Sequence, residues 1–532
     1  MTAMQPSRVI ILVQNVQTRA WIMILAEALR ARFSQRVDIV RLEGSDNEVN
    51  LFPSEKLELR VFGEPSCGHT AWIPTDKFPT TASLSGADLL VIDLTEGASG
   101  DLPLLQNVPA VLPVFHGSPC MRGLLAPLLA CQPPHLGIVA VTGGERRVLY
   151  GVELALPDPD VFLRVLATVL ARTITLLCGA VDNLITGKKL PEPISSLSAE
   201  LDRGVKRNPA RDVVRRWLPK VTGRLVGSLA RTEDWCIGYR KAMPASEPPA
   251  LNLDRETFTV IEPYPDRFYA DPILFEHSGK TSLFFEDYDY RTGIARISHV
   301  SIANDGQHDE PCEVLSRPYH LSYPFILSYR GSVFMLPETS NNRTIELYVA
   351  KNYPHDWRLA SVLMSDIEAS DATLYYDEGR RRWWMFASVT EFGSSSYDTL
   401  SIFYADNLEG PWHPHGMNPV KIDPLSSRPA GPLVLSGGRL FRPAQDCTRS
   451  YGSALVWCEI TELTTDVFRE AVIARKAPSR GYSGMHTYSR AGDFEVIDLK
   501  RFRWRRMRKA MPTGHGRLLS VPQRMVGRSG QL

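Results

Sequence analysis

Apolar positions in the second half of the chain come in short paired runs. Ile273 to Phe275 and Thr281 to Phe285 flank Ser278-Gly279 and read as strand, tight turn, strand. The unit returns as Tyr323 to Leu327 leading through Gly331 to Val333–Glu338, as Asp371 to Tyr375 leading through Gly379 to Trp383–Phe386, and as Ala430 to Val434 leading through Gly437-Gly438 to Leu440–Asp446. The unit starts, at Asp271, Tyr323, Asp371 and Ala430, are 52, 48 and 59 residues apart. An all-strand repeat near fifty residues predicts a β-propeller with one four-stranded blade per repeat. A fifth blade is expected from Trp235–Tyr239 in front and Phe494–Ile497 behind.

The first half follows another rhythm. Arg8 to Val13, Val37 to Leu42, Asp88 to Leu94 and Ala110 to Phe115 are apolar strands. Gln17 to Phe33 has helical spacing with Trp21, Ile24, Leu25, Ala28 and Leu29 on one face, and Leu136–Val141 with Val148–Leu156 forms a closing antiparallel pair. Such alternation predicts an α/β domain over residues 8–156 built on a mainly parallel sheet. Residues 157–232 read as a connector: an apolar helix over Asp158–Ile185, then a basic amphipathic stretch from Arg203 to Arg231. The propeller is expected over 233–500 and a basic tail over 501–532. Trp357, Trp383, Trp384 and Trp412 are expected in blade cores.

Composition adds limits. The 532 residues are 44% hydrophobic and 22% charged, with a net charge of +1, so nothing draws the whole molecule to nucleic acid. The eight cysteines form no CxxC pair and show no zinc spacing, which suits reduced thiols. The run Val9–Val13 is too short for a signal peptide, and the apolar Val161–Cys178 contains Arg164 and Arg172, which suits a buried helix better than a membrane span. Lys500 to Lys509 holds seven basic residues among ten, interleaved with Phe502, Trp504 and Met507, a pattern that suits an anionic membrane surface. A cytoplasmic protein, peripheral at the inner face of the membrane, is therefore expected. No GxGxxG or P-loop is present.

If each repeat sends its first strand down a central channel, one rim gathers Asp271, Glu286, Tyr323, Glu338, Asp371, Arg428, Arg442 and Asp446. Carboxylates, arginines and a tyrosine around a concavity suit a polyhydroxylated ligand, and the arginines suit phosphate. Arg343 and His486 stand in loops that mix charge with Gly, Asn or Thr, as functional loops do. Oxygen-rich rims of this kind can hold a divalent cation, but no loop spacing demands one and no cofactor motif is evident.

Phe115-His116-Gly117-Ser118-Pro119, Arg122-Gly123 and Val141–Gly144 resemble the formyltransferase fold of methionyl-tRNA formyltransferases. In that family an asparagine stands two residues before the histidine. Here Val114 stands there, and valine cannot bond a developing oxyanion, so formyl transfer is not expected. The propeller half resembles the domain that precedes the glycosyltransferase domain of plant glucosamine inositolphosphorylceramide transferases, also found in bacterial proteins fused to a formyltransferase-like domain. The resemblance rests on Tyr269–Pro272, Tyr323-Pro324, Pro337–Ser340, Asp371–Leu374, Arg428–Gly431 and Arg442–Asp446. It is also similar to the five-bladed fold of glycoside hydrolase family 43. There Asp271 matches the general base, Tyr323 replaces an expected Asp, Asp371 stands where a Glu acid is nearer expectation, and Glu338 offers an acid from another strand end.

The resemblances imply a carbohydrate-active protein of glycoconjugate or glycolipid assembly. Its expected chemistry is glycosyl transfer from a phosphorylated donor, with a sugar or nucleotide-sugar as ligand. Asp271, Glu338 and Asp371 are then catalytic, and Glu286, Tyr323, Arg343, Arg428, Arg442, Asp446 and His486 bind substrate. A family 43-like hydrolase and a non-catalytic sugar-binding scaffold are the alternatives.

Overall fold

The computed structural model describes most of residues 4–193, and residues 231–242 and 258–504. A six-stranded sheet runs in the order Arg36–Arg41, Arg8–Val13, Leu89–Asp93, Ala110–Phe115, His135–Thr142, Glu145–Glu153. The first four strands are parallel and the last two antiparallel, so the sheet is mixed, with the closing pair at one edge. Val9 to Val13 are fully buried, as expected of a central parallel strand covered on both faces. Helices are few among the described residues. They include α1 (Trp21–Arg32), α2 (Glu55–Phe62) and α3 (Phe162–Thr186).

Five four-stranded or larger sheets then close a propeller. Blade I begins at Arg267–His277, blade II at Ser322–Tyr329, blade III at Ala369–Asp377 and blade IV at Val434–Ser436. Blade V is shared by the two ends: Arg231–Lys241 pairs antiparallel with Phe494–Trp504 over eleven residues, with Val496 opposite Tyr239. The circle is thus closed by chain segments about 250 residues or more apart, a long-range pairing that joins the ends of the ring. These strands carry the propeller out to Arg231 and Trp504, beyond the 233–500 expected from sequence, and convert the start of the basic tail into blade. Arg501 there pairs with Glu262 at 2.5 Å. The stretch from Arg203 to Leu229 and the tail beyond Trp504 lie outside the described residues. The four tryptophans 357, 383, 384 and 412 are buried between strands or blades.

The two halves are packed together through α3. Long and apolar enough to cross a membrane by length and composition, it is instead almost wholly buried. Arg172 on α3 reaches across to blade III, donating to Asp398 Oδ1 at 2.7 Å and to the Ser395 carbonyl at 2.8 Å. Asp398 Oδ2 accepts the Ala155 N–H at 3.0 Å. Ile422 of blade III joins the core of the N-terminal sheet.

Candidate functional site

The first strand of each of blades I to III is broken at the same place. Pairing slips between Ala270 and Ile273, Ser322 and Phe325, and Ser370 and Thr373. At each slip a non-glycine residue sits in the left-handed region: Asp271 at φ 50°, Tyr323 at 43°, Asp371 at 55°. Each costs about 1–3 kcal/mol and persists only where its surroundings impose it. The equivalent of these three in blade IV is Gly431, at φ 133°, where a Cβ would lie 1.9 Å from the Tyr488 carbonyl oxygen.

What imposes the kink is a ring of latches between blades. The freed N–H of Asp271 donates to Asp498 Oδ2 of blade V at 3.2 Å, and that of Tyr323 to Asp271 Oδ2 at 3.3 Å. The N–H of Asp371 donates to Glu338 Oε2 at 3.1 Å, and that of Gly431 to the Tyr323 hydroxyl at 2.7 Å. The rim carboxylates therefore accept backbone donors that the bulges turned out of the ladder.

Beside this ring lies a cavity of about 580 Å³. Its wall holds Glu338, Glu368 and Arg428, the hydroxyls of Ser340, Ser370, Thr390 and Ser396, Asn341, and the rings of Tyr397 and Tyr451. Arg428 Nη2 stands 3.9 Å from Glu338 Oε2, and the guanidinium lies 5.1 Å from the Tyr451 ring and 5.7 Å from the Tyr397 ring. Under it, Asp371 Oδ2 accepts from Arg428 Nε at 2.6 Å and from Gln445 Nε2 at 2.9 Å. Burial pushes the Asp371 carboxyl upward, against the pull of Arg428.

Asp271 lies deeper. Its Oδ1 accepts the Thr487 hydroxyl at 3.0 Å and is 3.5 Å from His486 Nε2, while His486 Nδ1 bonds Asp498. Trp235 stacks on His486 at 4.1 Å. Burial pushes Asp271 up to about 7, with His486 pulling it down and Glu286 and Asp498 adding to the rise. Burial alone would lower the His486 pKa, but Asp498 and Asp271 together raise it.

The sequence-derived set is thus only partly gathered. Glu338 and Arg428 line the cavity. Asp271, Asp371 and His486 are buried next to it or beneath it, and Asp271 is not on its wall. Tyr323 is fully buried, its hydroxyl bonded to Thr373 and the Gly431 N–H. Glu286 pairs with His320 at 3.2 Å. Arg343 sits outside the lining, bonded to the Asp366 carbonyl at 3.3 Å. Arg442 and Asp446 point elsewhere: Arg442 is fully buried against Glu470 at 2.6 Å and the Ser426 and Ser427 carbonyls, and Asp446 pairs with Arg475 at 2.6 Å. The reason is pleat parity: Arg442, Ala444 and Asp446 share one side of their strand, and Gln445, on the other, reaches Asp371. Sequence reading missed Gln445, Asp498, Tyr397 and Tyr451. Asp498 carried a signal, since it is an acid directly inside the apolar run Val496-Ile497-Asp498-Leu499, all of it buried. In the N-terminal sheet, Val114 lies in register with Gly137 and the His116 ring lies 5.4 Å from His135. Nothing among the described residues of this sheet shows formyltransferase kinship.

Residues 244–504 match the family described as "Glucosamine inositolphosphorylceramide transferase 1, N-terminal". A rice protein (Oryza sativa subsp. japonica) named Glucosamine inositolphosphorylceramide transferase 1 is 33% identical over 214 residues, 40% of this chain. Its Arabidopsis thaliana namesake is 32% identical over 213 residues, 39% of this chain. The matched part spans 28% of the length of these curated relatives. Among solved structures, a family 117 glycoside hydrolase of Zobellia galactanivorans is 11% identical with a TM-score of 0.33, over 51% of this chain and 91% of that one. A Cellvibrio cellulosa α-L-arabinanase complexed with arabinohexaose is 13% identical with a TM-score of 0.33, over 44% and 90%. Likeness at that level bears on neither activity nor ligand. It is the propeller half of this chain, residues 244–504, that is similar to the N-terminal part of the glucosamine inositolphosphorylceramide transferases.

Proposed function

We propose that this chain is a carbohydrate-active protein of glycolipid assembly, and that its propeller cavity holds the sugar and phosphate of a glycosyl-transfer substrate. The supporting observation is the pair Arg428 and Glu338, side by side on the wall of a cavity otherwise lined mainly by hydroxyls and tyrosine rings. Arg428 suits a phosphate oxygen through Nη2, while its Nε donates to Asp371 and its Nη1 to Ser396. Two carboxylates face the cavity, and Glu368 stands 3.9 Å from Arg343. Glu338 is the one beside Arg428, and so the group placed to take a proton from an acceptor hydroxyl. Asp271 moves from base to positioning residue, because both its oxygens already accept latch bonds and it stands off the cavity wall. The relatives' name, which joins glucosamine to an inositolphosphorylceramide, agrees with a phosphorylated sugar lipid.

A second reading, sugar binding without turnover, is favoured by the use of Asp271, Asp371 and Asp498 in the latches and their supports. A thermal-shift panel separates the two. Nucleotide-sugars form one arm and neutral oligosaccharides the other, each with and without divalent cations. A ligand at a hundredfold its Kd adds about 2.7 kcal/mol. Glycosyl transfer predicts a rise with nucleotide-sugars, kept in Glu338→Gln while product formation is lost. Turnover unchanged in Glu338→Gln removes Glu338 from the chemistry. A rise with oligosaccharides alone moves the protein to sugar binding or hydrolysis. The basic residues Arg505 to Lys509 extend the proposal to an anionic membrane surface, tested by co-sedimentation with phosphatidylserine vesicles against neutral ones.

A further inference from the structure

His299 lies in the third strand of blade I, Ile294–Ile302, directly opposite Cys312 in the outer strand, Cys312–Leu315. Directly opposed residues project on the same side of a sheet. His355 comes from the turn between the last two strands of blade II. Its Nδ1 is 3.8 Å from Cys312 Sγ, and its ring lies edge-on to that of His299 with centroids 5.7 Å apart. One donor atom from each of the three lies within 4.8 Å of the others. His299 is fully buried, and neither of its ring nitrogens has a hydrogen-bond partner. A core histidine ordinarily has at least one.

We propose that His299, Cys312 and His355 form a zinc site that ties the outer edge of blade I to blade II. Zinc takes imidazole nitrogen at ~2.0–2.1 Å and thiolate sulfur at ~2.3 Å in tetrahedral array. Those lengths put S and N about 3.6 Å apart, against the 3.8 Å between Cys312 and His355. Two imidazoles and one thiolate match the borderline softness of zinc. Cys312 is half-buried and His355 is exposed, so the fourth position faces solvent and takes water. Binding releases the Cys312 thiol proton and gives the buried His299 the partner it lacks. The ligands come from two blades and three segments, which is why they show no zinc spacing in sequence.

The test uses the full chain, stripped with a chelator and titrated with Co²⁺. One equivalent should bring up thiolate-to-cobalt charge transfer in the near ultraviolet together with intense visible bands of a tetrahedral site, and Zn²⁺ should bleach both. Cys312→Ser should abolish the charge-transfer band. His355→Ala, on an exposed turn, should keep the fold and weaken binding by more than the roughly 10–100-fold seen for loss of an outer-shell partner. Absence of the band, its survival in Cys312→Ser, or unchanged affinity in His355→Ala would each overturn the site.

Discussion

Asp398→Asn is expected to be among the most damaging single changes in the molecule. Asp398 and Arg172 are each 1% exposed and bonded at 2.7 Å across the junction of α3 and blade III. At an effective dielectric of about 20, unit charges ~4 Å apart attract by about 4 kcal/mol. Taking each charge out of water costs several kcal/mol. The pair is thus close to neutral as a whole, and consistently burial holds the Asp398 carboxyl above its ordinary range despite Arg172. Removing one partner is different. The substituted amide would keep an oxygen for the Ala155 N–H but leave a buried guanidinium whose Nε and Nη1 already have no partner. Breaking such a pair costs ~3–5 kcal/mol. Adding Arg172→Met removes the stranded charge, so the double variant should recover at least ~1.5 kcal/mol relative to Asp398→Asn. Chemical denaturation followed by tryptophan fluorescence gives all three values. A loss under about 1 kcal/mol for Asp398→Asn, or a double variant that loses the sum of the singles, would refute the reasoning.

Other expectations concern the rim. Asp271, raised to about 7 when folded, is protonated more readily in the native than in the unfolded chain. Its contribution is present in full below the unfolded value of ~3.9 and is lost as pH rises through about 7. His486, also raised, contributes below ~6.5 and loses its share above that. The melting temperature should fall over this window, and Asp271→Asn should flatten the slope; an unchanged slope contradicts the assignment. Arg442→Ala should destabilise the fold by removing one of the two cations that hold Glu470, Lys421 remaining at 2.8 Å, and leave ligand-induced thermal shifts intact. Glu470, held down to about 2 against burial by Arg442 and Lys421, stabilises above ~4.3 and loses this as pH falls through about 2. That acid-side dependence should shrink in Arg442→Ala, Lys421 alone then holding Glu470 down. Gly431→Ala drives a Cβ into the Tyr488 carbonyl and should cost about 3 kcal/mol or more, read as lost melting temperature or lost soluble protein.

Much of the architecture was legible because it is periodic. Paired runs near fifty residues apart implied four blades, and the apolar runs Trp235–Tyr239 and Phe494–Ile497 suggested the fifth. The site was less legible because its members meet across blades. Spacing put Asp271, Glu338 and Arg428 at strand ends; Glu338 and Arg428 line the cavity together, while Asp271 lies off its wall. It put Arg442 and Asp446 there too, although pleat parity turns both away and sends Gln445 in.

By itself the sequence determined the blade repeat, the buried apolar α3 and the acids at blade starts, since each is written in local spacing of apolar and turn residues. The tertiary structure alone decided what those acids do. The backbone N–H groups of Asp271, Tyr323, Asp371 and Gly431 are turned out of the ladders, and a buried freed donor must find an acceptor. The acceptors come from other blades, at distances along the chain that no local pattern encodes. The same holds for Arg172 with Asp398, and for His299, Cys312 and His355 at the outer edge.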